Sequence, residues 1–217
     1  MKVVIFGSTG GTGLEAVAAF VAAGHQVTAF ARDPAKIPSD PAVTVVRGDV
    51  MDAADVSGAV TGHDAVIVSL GNSQNPVALM VPGARRTTAA DVCEVGTRHI
   101  IAAMQASGMA RLVVVTAFGV GDTRDKMPFA FKVFYWAVLR EQMADKERQE
   151  AAVKASGLDW TLVQPVGLTD GKATGRWLAD AGGVIRRQQI SRGDMAAFLV
   201  LAVGEERYFG ATISLSG

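Results

Sequence analysis

The chain has 217 residues, 49% of them hydrophobic, with 21 basic residues balancing 21 acidic ones. This is enough apolar material for a substantial core, and the charge balance leaves no global field to draw the protein to nucleic acid or an anionic membrane. A single cysteine, Cys93, excludes an internal disulfide framework and a cysteine-based zinc cage. It suits a reducing compartment, and the expectation is cytoplasmic. No stretch approaches the length of a bilayer-spanning helix, and Met1-Lys2 leads at once into a strand-like run, so no export signal is expected.

In chain order, short β-rich runs occur at Val3–Phe6, Gln26–Ala31, Val43–Arg47, Ala65–Leu70, Leu112–Thr116 and Leu158–Val163. They are nearly continuous in apolar residues, as strands covered on both faces must be. Helical segments are predicted between them at Gly11–Ala23, Ala53–Val60, Ala89–Ser107 and around Phe129–Ser156, three of them ending at Gly24, Gly108 and Gly157. Strand and helix in alternation predict a doubly wound parallel α/β sheet forming one domain, with a small substrate-side extension from Gly171. The Gly/Pro-rich stretches 72–83 and 166–183 are predicted to be loops, long enough to carry functional duties.

The first strand runs into GSTGGTG, residues 7 to 13, and then into the first helix. A Gly-x-x-Gly-x-x-Gly string alone is a weak signal, but between a strand and a helix it matches a dinucleotide fingerprint. Gly7 permits the tight turn, Gly10 lets the backbone approach a pyrophosphate, and Gly13 allows close helix–strand packing. Amides at the helix start then bind phosphate, drawing Thr9, Gly11 and Thr12 into the site. The alternative is a strand-to-helix turn that only needs glycine.

The second strand ends in ARDP. Asp33 before Pro34 has the form of an N-cap and first-turn proline, which leaves Arg32 as the ligand for a ribose 2′-phosphate, with Lys36 as a helper. NADP is therefore expected over NAD.

GSTGGTG, ARDP, RGDVMD after the third strand, VSLGN after the fourth and SGLDWTLVQPVGLTDG together resemble the atypical short-chain dehydrogenase/reductase group with a Rossmann NAD(P)H-binding domain. Within that group the chain resembles flavin reductase/biliverdin-IXβ reductase proteins, and more distantly the NmrA-like and isoflavone-reductase-like proteins. The resemblance implies that Asp49 and Val50 border the adenine and that Leu70 and Gly71 line the cofactor path. It also implies that Thr116 and Pro165, Val166, Gly167 and Leu168 approach the nicotinamide. For Asp49 a loop-capping carboxylate is the rival reading.

The Tyr-x-x-x-Lys pair of ordinary short-chain dehydrogenases is absent, because Tyr135 is followed four positions later by Leu139 and Tyr208 has no lysine partner. Lys146, eleven residues before Gly157, resembles by spacing the catalytic lysine of isoflavone-reductase relatives. It is expected to hold the nicotinamide ribose or act as a general acid, unless it pairs with Glu150 or Glu141 on a solvated helix face. Thr116 aligns with a serine of the flavin reductases and is expected to bond nicotinamide or substrate. A histidine of those reductases falls at Gly167, which has no side-chain acid, so activity on biliverdin in particular loses support.

The stretch RDKMPFAFKVFYW, residues 124 to 136, gathers Phe129, Phe131, Phe134, Tyr135 and Trp136 just beyond the fifth strand. These aromatics suit a small planar substrate such as a flavin, quinone or tetrapyrrole, or else fill the core or a dimer contact. Lys126 either attracts an acidic substrate or is an ordinary surface lysine. His25, His63 and His99 are too scattered for a metal site. Two functions follow: an NADPH-dependent reductase of a planar acceptor, or a non-catalytic NmrA-like NADP(H) sensor, with the protein a monomer or homodimer.

Overall fold

The computed structural model describes residues 1–72, 85–127 and 138–217. Five strands come where the sequence places them, as β1 (Lys2–Phe6), β2 (Gln26–Ala31), β3 (Val43–Arg47), β4 (Ala65–Val68) and β5 (Arg111–Val115). The next, β6 (Asp159–Pro165), runs two residues further than its apolar stretch. Short strands β7 (Gly167–Thr169), β8 (Leu178–Asp180) and β9 (Gln189–Ser191) follow, and β10 (Ala211–Ser216) ends the series. The main sheet has the order β3-β2-β1-β4-β5-β6-β10-β8. All its pairings are parallel except that of β10 with β8. This is the doubly wound Rossmann arrangement the sequence predicts. Its direction of growth reverses between β1 and β4, where such sheets open a crevice at their carboxyl ends.

Helices α1 (Gly11–Ala22), α2 (Ala53–Val60), α3 (Val92–Ser107), α4 (Arg140–Lys154) and α5 (Arg192–Gly204) cover the two faces. Alternation along β1 sorts the core: Val3 and Ile5 face one cluster with Phe20, Met195 and Phe198, whereas Val4 and Phe6 face another with Ile100, Met104 and Leu112. The first layer is therefore built by α1 and α5, the second by α2, α3 and α4.

Two segments differ from expectation. The helix expected from Ala89 begins at Val92. Its first turn is capped from another element, since the amides of Cys93 and Glu94 donate to the buried carboxylate of Asp145 on α4 at 3.0 and 2.9 Å. The stretch 166–183 is predicted to be a loop and no element is expected after β6, yet β7 and β8 fall within that stretch and β9, α5 and β10 follow it. The apolar run MAAFLVLAV of α5 buries Met195, Phe198, Leu199 and Ala202, and β10 pairs with β6 from Ala211 opposite Thr161. Much of the C-terminal extension thus completes the sheet. Arg111 locks this helix down: its guanidinium, buried at the foot of β5, donates to the carbonyls of Ala202 and Val203 at the α5 C-terminus. Burial lowers its pKa to about 10.

Candidate functional site: a dinucleotide groove at the sheet reversal

The glycine loop joins the tips of β1 and β4. Gly7 has φ +80°, and a Cβ there would lie 2.4 Å from the Ser69 carbonyl oxygen. A Cβ on Gly13 would lie 2.1 Å from the Gly7 carbonyl oxygen. Both positions exclude a side chain because backbone meets backbone.

Gly10 differs. Its nearest neighbour to a built Cβ is the Gly7 carbonyl oxygen at 3.5 Å, an ordinary contact. No atom among the described residues requires glycine at this position, and the space left by its missing side chain belongs to a groove. Gly10 is also the N-cap of α1 and supplies no side-chain cap. The first-turn amides are left for a ligand, as at phosphate-binding helix starts. A pyrophosphate fits this cradle.

The groove has a volume of about 470 Å³. Gly7, Thr9, Gly10 and Gly11 form one part of its lining, Arg32, Asp33 and Lys36 another, and Val50, Leu70 and Gly71 a third. Eight of the predicted cofactor positions therefore meet in one cavity. Thr12 and Gly13 lie beneath it as buried residues of the first turn of α1.

At the β2 tip the division of labour between two neighbours is physical. Asp33 caps the short 3-10 turn Pro34–Lys36, accepting from the Ala35 amide at 3.2 Å. Arg32 is exposed and leans across the groove edge, its guanidinium donating to the Thr87 carbonyl at 3.3 Å and the Thr88 hydroxyl at 3.4 Å. Both contacts are long and to neutral acceptors, which an anion can displace.

Asp49 accepts from the Met51 amide at 3.0 Å, the loop-capping role, and is not part of the groove lining. Its neighbour Val50 is. The Val50 carbonyl is held by His99 Nδ1 at 3.0 Å, and Gly96 makes room for its side chain, since a Cβ there would lie 2.6 Å from Val50 Cγ2. Sequence reasoning missed Gly48, Ser69, Thr88 and Val92, which also line the groove. Gly48 follows the β3 tip, as Gly7 follows β1, a register that could have flagged it; Thr88 and Val92 have no such signal.

Lys146 leaves the charged helix α4 and reaches the sheet. Its Nζ stands 3.3 Å from the Leu70 carbonyl oxygen and 3.4 Å from that of Val115, at the carboxyl ends of β4 and β5. Neither ion pair foreseen as an alternative forms: Glu141 is bound by Arg86, and Glu150 turns inward. Thr116, only 4% exposed, donates its hydroxyl hydrogen to Glu150 Oε1 at 2.6 Å. Gln164 Nε2 donates to the same oxygen at 2.8 Å, while Glu150 Oε2 is buried with no hydrogen-bond partner among the described residues. Burial pushes the Glu150 carboxyl above its ordinary pKa, against the lowering effect of Gln164 and Thr116.

Pro165 and Val166 are buried at the β6 tip, and their backbones are committed: the Phe118 amide donates to the Pro165 carbonyl, and the Val166 amide to that of Leu215. The Gly167 amide donates to the Gln188 carbonyl. Leu168 lies within β7. None of these four lines the 470 Å³ groove. The aromatic positions Phe129, Phe131, Phe134, Tyr135 and Trp136 lie outside the described residues. Lys126 donates to the Gly182 carbonyl. Cys93 is 2% exposed and burial raises its thiol pKa to about 11, so it is an inert core residue.

Among the described residues no helix is long and apolar enough to cross a membrane, and no group of three His, Cys, Asp or Glu side chains is placed to hold a metal.

Comparison with known proteins agrees with this geometry. An uncharacterized chloroplastic protein of Arabidopsis thaliana is 28% identical over 211 residues, 94% of this chain and 72% of its own length. The chain spans only 27% to 62% of the length of three other curated relatives. Two solved structures share the fold. A short-chain dehydrogenase/reductase of Veillonella parvula in complex with NADP has a TM-score of 0.81 at 17% identity, covering 100% of this chain and 94% of its own. An anaerobilin reductase of Escherichia coli O157:H7 has a TM-score of 0.76 at 24% identity, covering 100% and 97%. The profile of the NAD(P)H-binding family matches residues 7–206, and the chain belongs to that family.

Proposed function

We propose that the protein is an NADPH-dependent reductase that passes a hydride to a small planar acceptor. The observation that carries this reading is the run of one groove from Arg32, across the open Gly10 cradle, to Leu70, whose carbonyl, with that of Val115, holds the ammonium of Lys146, a residue outside the groove lining itself. NADPH supplies the hydride when bound. The α1 amides hold its pyrophosphate, and Arg32 with Lys36 receives the 2′-phosphate. NADP is preferred over NAD on that account.

Lys146 is the group available to hold the nicotinamide ribose or to deliver a proton, since among the described residues its ammonium is held by two long carbonyl contacts of 3.3 and 3.4 Å. The acceptor is planar because of the aromatic sequence between residues 129 and 136. That the chain is similar in fold to an anaerobilin reductase supports a reductive direction.

The test is purified protein with NADPH and a panel of FMN, FAD, menadione and biliverdin, followed at the nicotinamide absorbance. Oxidation with at least one acceptor is expected. The NADP(H)-sensor reading has one observation in its favour, the commitment of the Thr116 hydroxyl hydrogen to Glu150. Tight NADPH binding with no oxidation by any acceptor would establish the sensor in place of the reductase.

A further inference from the structure

Past the carboxyl end of β6 the chain builds a second recess, about 830 Å³ in volume, whose lining includes Thr174, Arg176, Arg186, Arg187, Gln189 and Asp194. One wall is the two-stranded parallel sheet of β7 and β9, paired Leu168 to Ile190 and Thr169 to Ser191. The 174–175 turn is pinned by Asp194. This buried carboxylate accepts from the Thr174 amide at 2.6 Å, the Gly175 amide at 2.9 Å and the Thr174 hydroxyl at 2.9 Å. Burial pushes the Asp194 pKa up, but these hydrogen bonds and that from Ser191 outweigh it and hold it below the ordinary value. Its charge is satisfied from within the turn.

The arginines are different. Arg192 nearby is paired with Asp170, whereas the guanidiniums of Arg176, Arg186 and Arg187 make no ion pair or hydrogen bond among the described residues. The backbones of two of them are held, the Arg176 amide donating to the Thr174 hydroxyl and the Arg186 amide to that of Ser216. The three exposed arginines line one recess and bring like charge to it without a paired protein counter-charge among the described residues, an arrangement that an anion would favour. The guanidinium fork matches carboxylate and phosphate oxygens.

The recess adjoins the dinucleotide groove. Ser191 lines the recess, and the side chain of the next residue, Arg192, comes within 2.9 Å of where a Cβ on Gly11, a groove residue, would stand. On the sheet side, β7 begins two residues after Pro165, whose carbonyl takes the Phe118 amide just past Thr116. The recess lining reaches β7 through Thr169, so an acceptor extending from the β6 tip along β7 would approach the arginines.

We propose that this recess is an anion site for carboxylate or phosphate groups on the acceptor, so that the protein selects acidic planar acceptors over neutral ones. The proposal rests on the reductase reading above. FMN and riboflavin, which share a ring and differ by a phosphate, probe it directly through quenching of flavin fluorescence with NADP+-loaded protein. FMN is expected to bind about tenfold or more tightly than riboflavin, as charge-assisted contacts provide. Inorganic phosphate should weaken FMN alone. In Arg186→Ala/Arg187→Ala, and in the milder Arg186→Gln, the preference should shrink toward unity with riboflavin affinity unchanged. Biliverdin against its dimethyl ester asks the same of carboxylates.

Equal affinity for FMN and riboflavin in the wild type, or equal weakening of both in the variants, overturns the anion site. Equal kcat/KM for the two flavins with brisk NADPH oxidation overturns the site and leaves the reductase standing. Selective FMN binding without oxidation of NADPH by any acceptor overturns the assignment of the recess to an acceptor, together with the reductase reading.

Discussion

Lys146 and Glu150 stand one turn apart on α4, yet they do not pair: the lysine reaches the Leu70 and Val115 carbonyls while the glutamate takes the hydroxyl of Thr116 and the amide of Gln164. Such a pair at i and i+4 on an exposed helix would ordinarily form a weak ion pair. Here α4 turns a polar face inward, burying Asp145 and Gln149 against α3 and Glu150 beside the sheet ends. Lys146→Ala is expected to lower turnover with the best acceptor by about a hundredfold if the lysine delivers a proton, and to weaken cofactor binding by only about tenfold if it holds the ribose. Steady-state kinetics with separate NADPH titration tells these apart, and Lys146→Arg should restore the ribose role but not the proton. Wild-type values for both quantities in Lys146→Ala would leave Lys146 without a role at the site.

Gly10 and Gly13 give a paired prediction. Gly10→Val should abolish NADPH binding while circular dichroism and thermal midpoint stay near wild type, because no atom of the described residues opposes the new Cβ. Gly13→Ala should lower the midpoint or prevent folding, because its Cβ would press on the Gly7 carbonyl. Retained cofactor affinity in Gly10→Val would show that the loop is only a turn.

Arg32 should set cofactor choice. Titration is expected to show NADP(H) bound about tenfold or more tightly than NAD(H), with the gap closing in Arg32→Ala and NAD(H) affinity nearly unchanged. A gap that survives the substitution would move the 2′-phosphate contact to another residue.

Glu150 should make stability fall with pH. Its folded pKa is raised above the ordinary 4.5, chiefly by burial, so the folded state holds the proton more tightly than the unfolded chain. The protein is then favoured at pH below 4.5 and loses that contribution as pH climbs through the raised value. Glu150→Gln, which keeps an oxygen for Thr116 and Gln164, removes the titration. The difference in thermal midpoint, wild type minus variant, should become more negative between pH 4.5 and 8; a difference that stays flat or rises would mean that the carboxyl is charged at low cost.

Much of this protein is written in local sequence. Strands β1, β2, β4, β5 and β6 are apolar runs largely buried on both faces, whereas β3, an equally apolar run, lies at the sheet edge with Val45 exposed; a glycine string between the first of them and a helix states both the turn and the phosphate cradle. Asp33 before Pro34 declares a cap, which freed Arg32 for the groove edge. These features are legible because each depends on neighbours in the chain.

Other features depend on residues distant in sequence and only the tertiary structure decides them. The apolar periodicity of α5 and β10 is local, but their place beside β6 is set by β-pairing and by Arg111 gripping the α5 carbonyls from the opposite end of β5. Charge on α4 reads as a solvated face, whereas Asp145 caps α3 and Glu150 enters the sheet ends because partners there satisfy them. The arginines at 176, 186 and 187 are spread over a loop-like stretch of no evident pattern, and only the pairing of β7 with β9 and the pinning of Thr174 and Gly175 by Asp194 bring them to one recess. Chain order specifies which groups exist; long-range pairing, which costs loop entropy and is stabilised by burial, decides which of them meet.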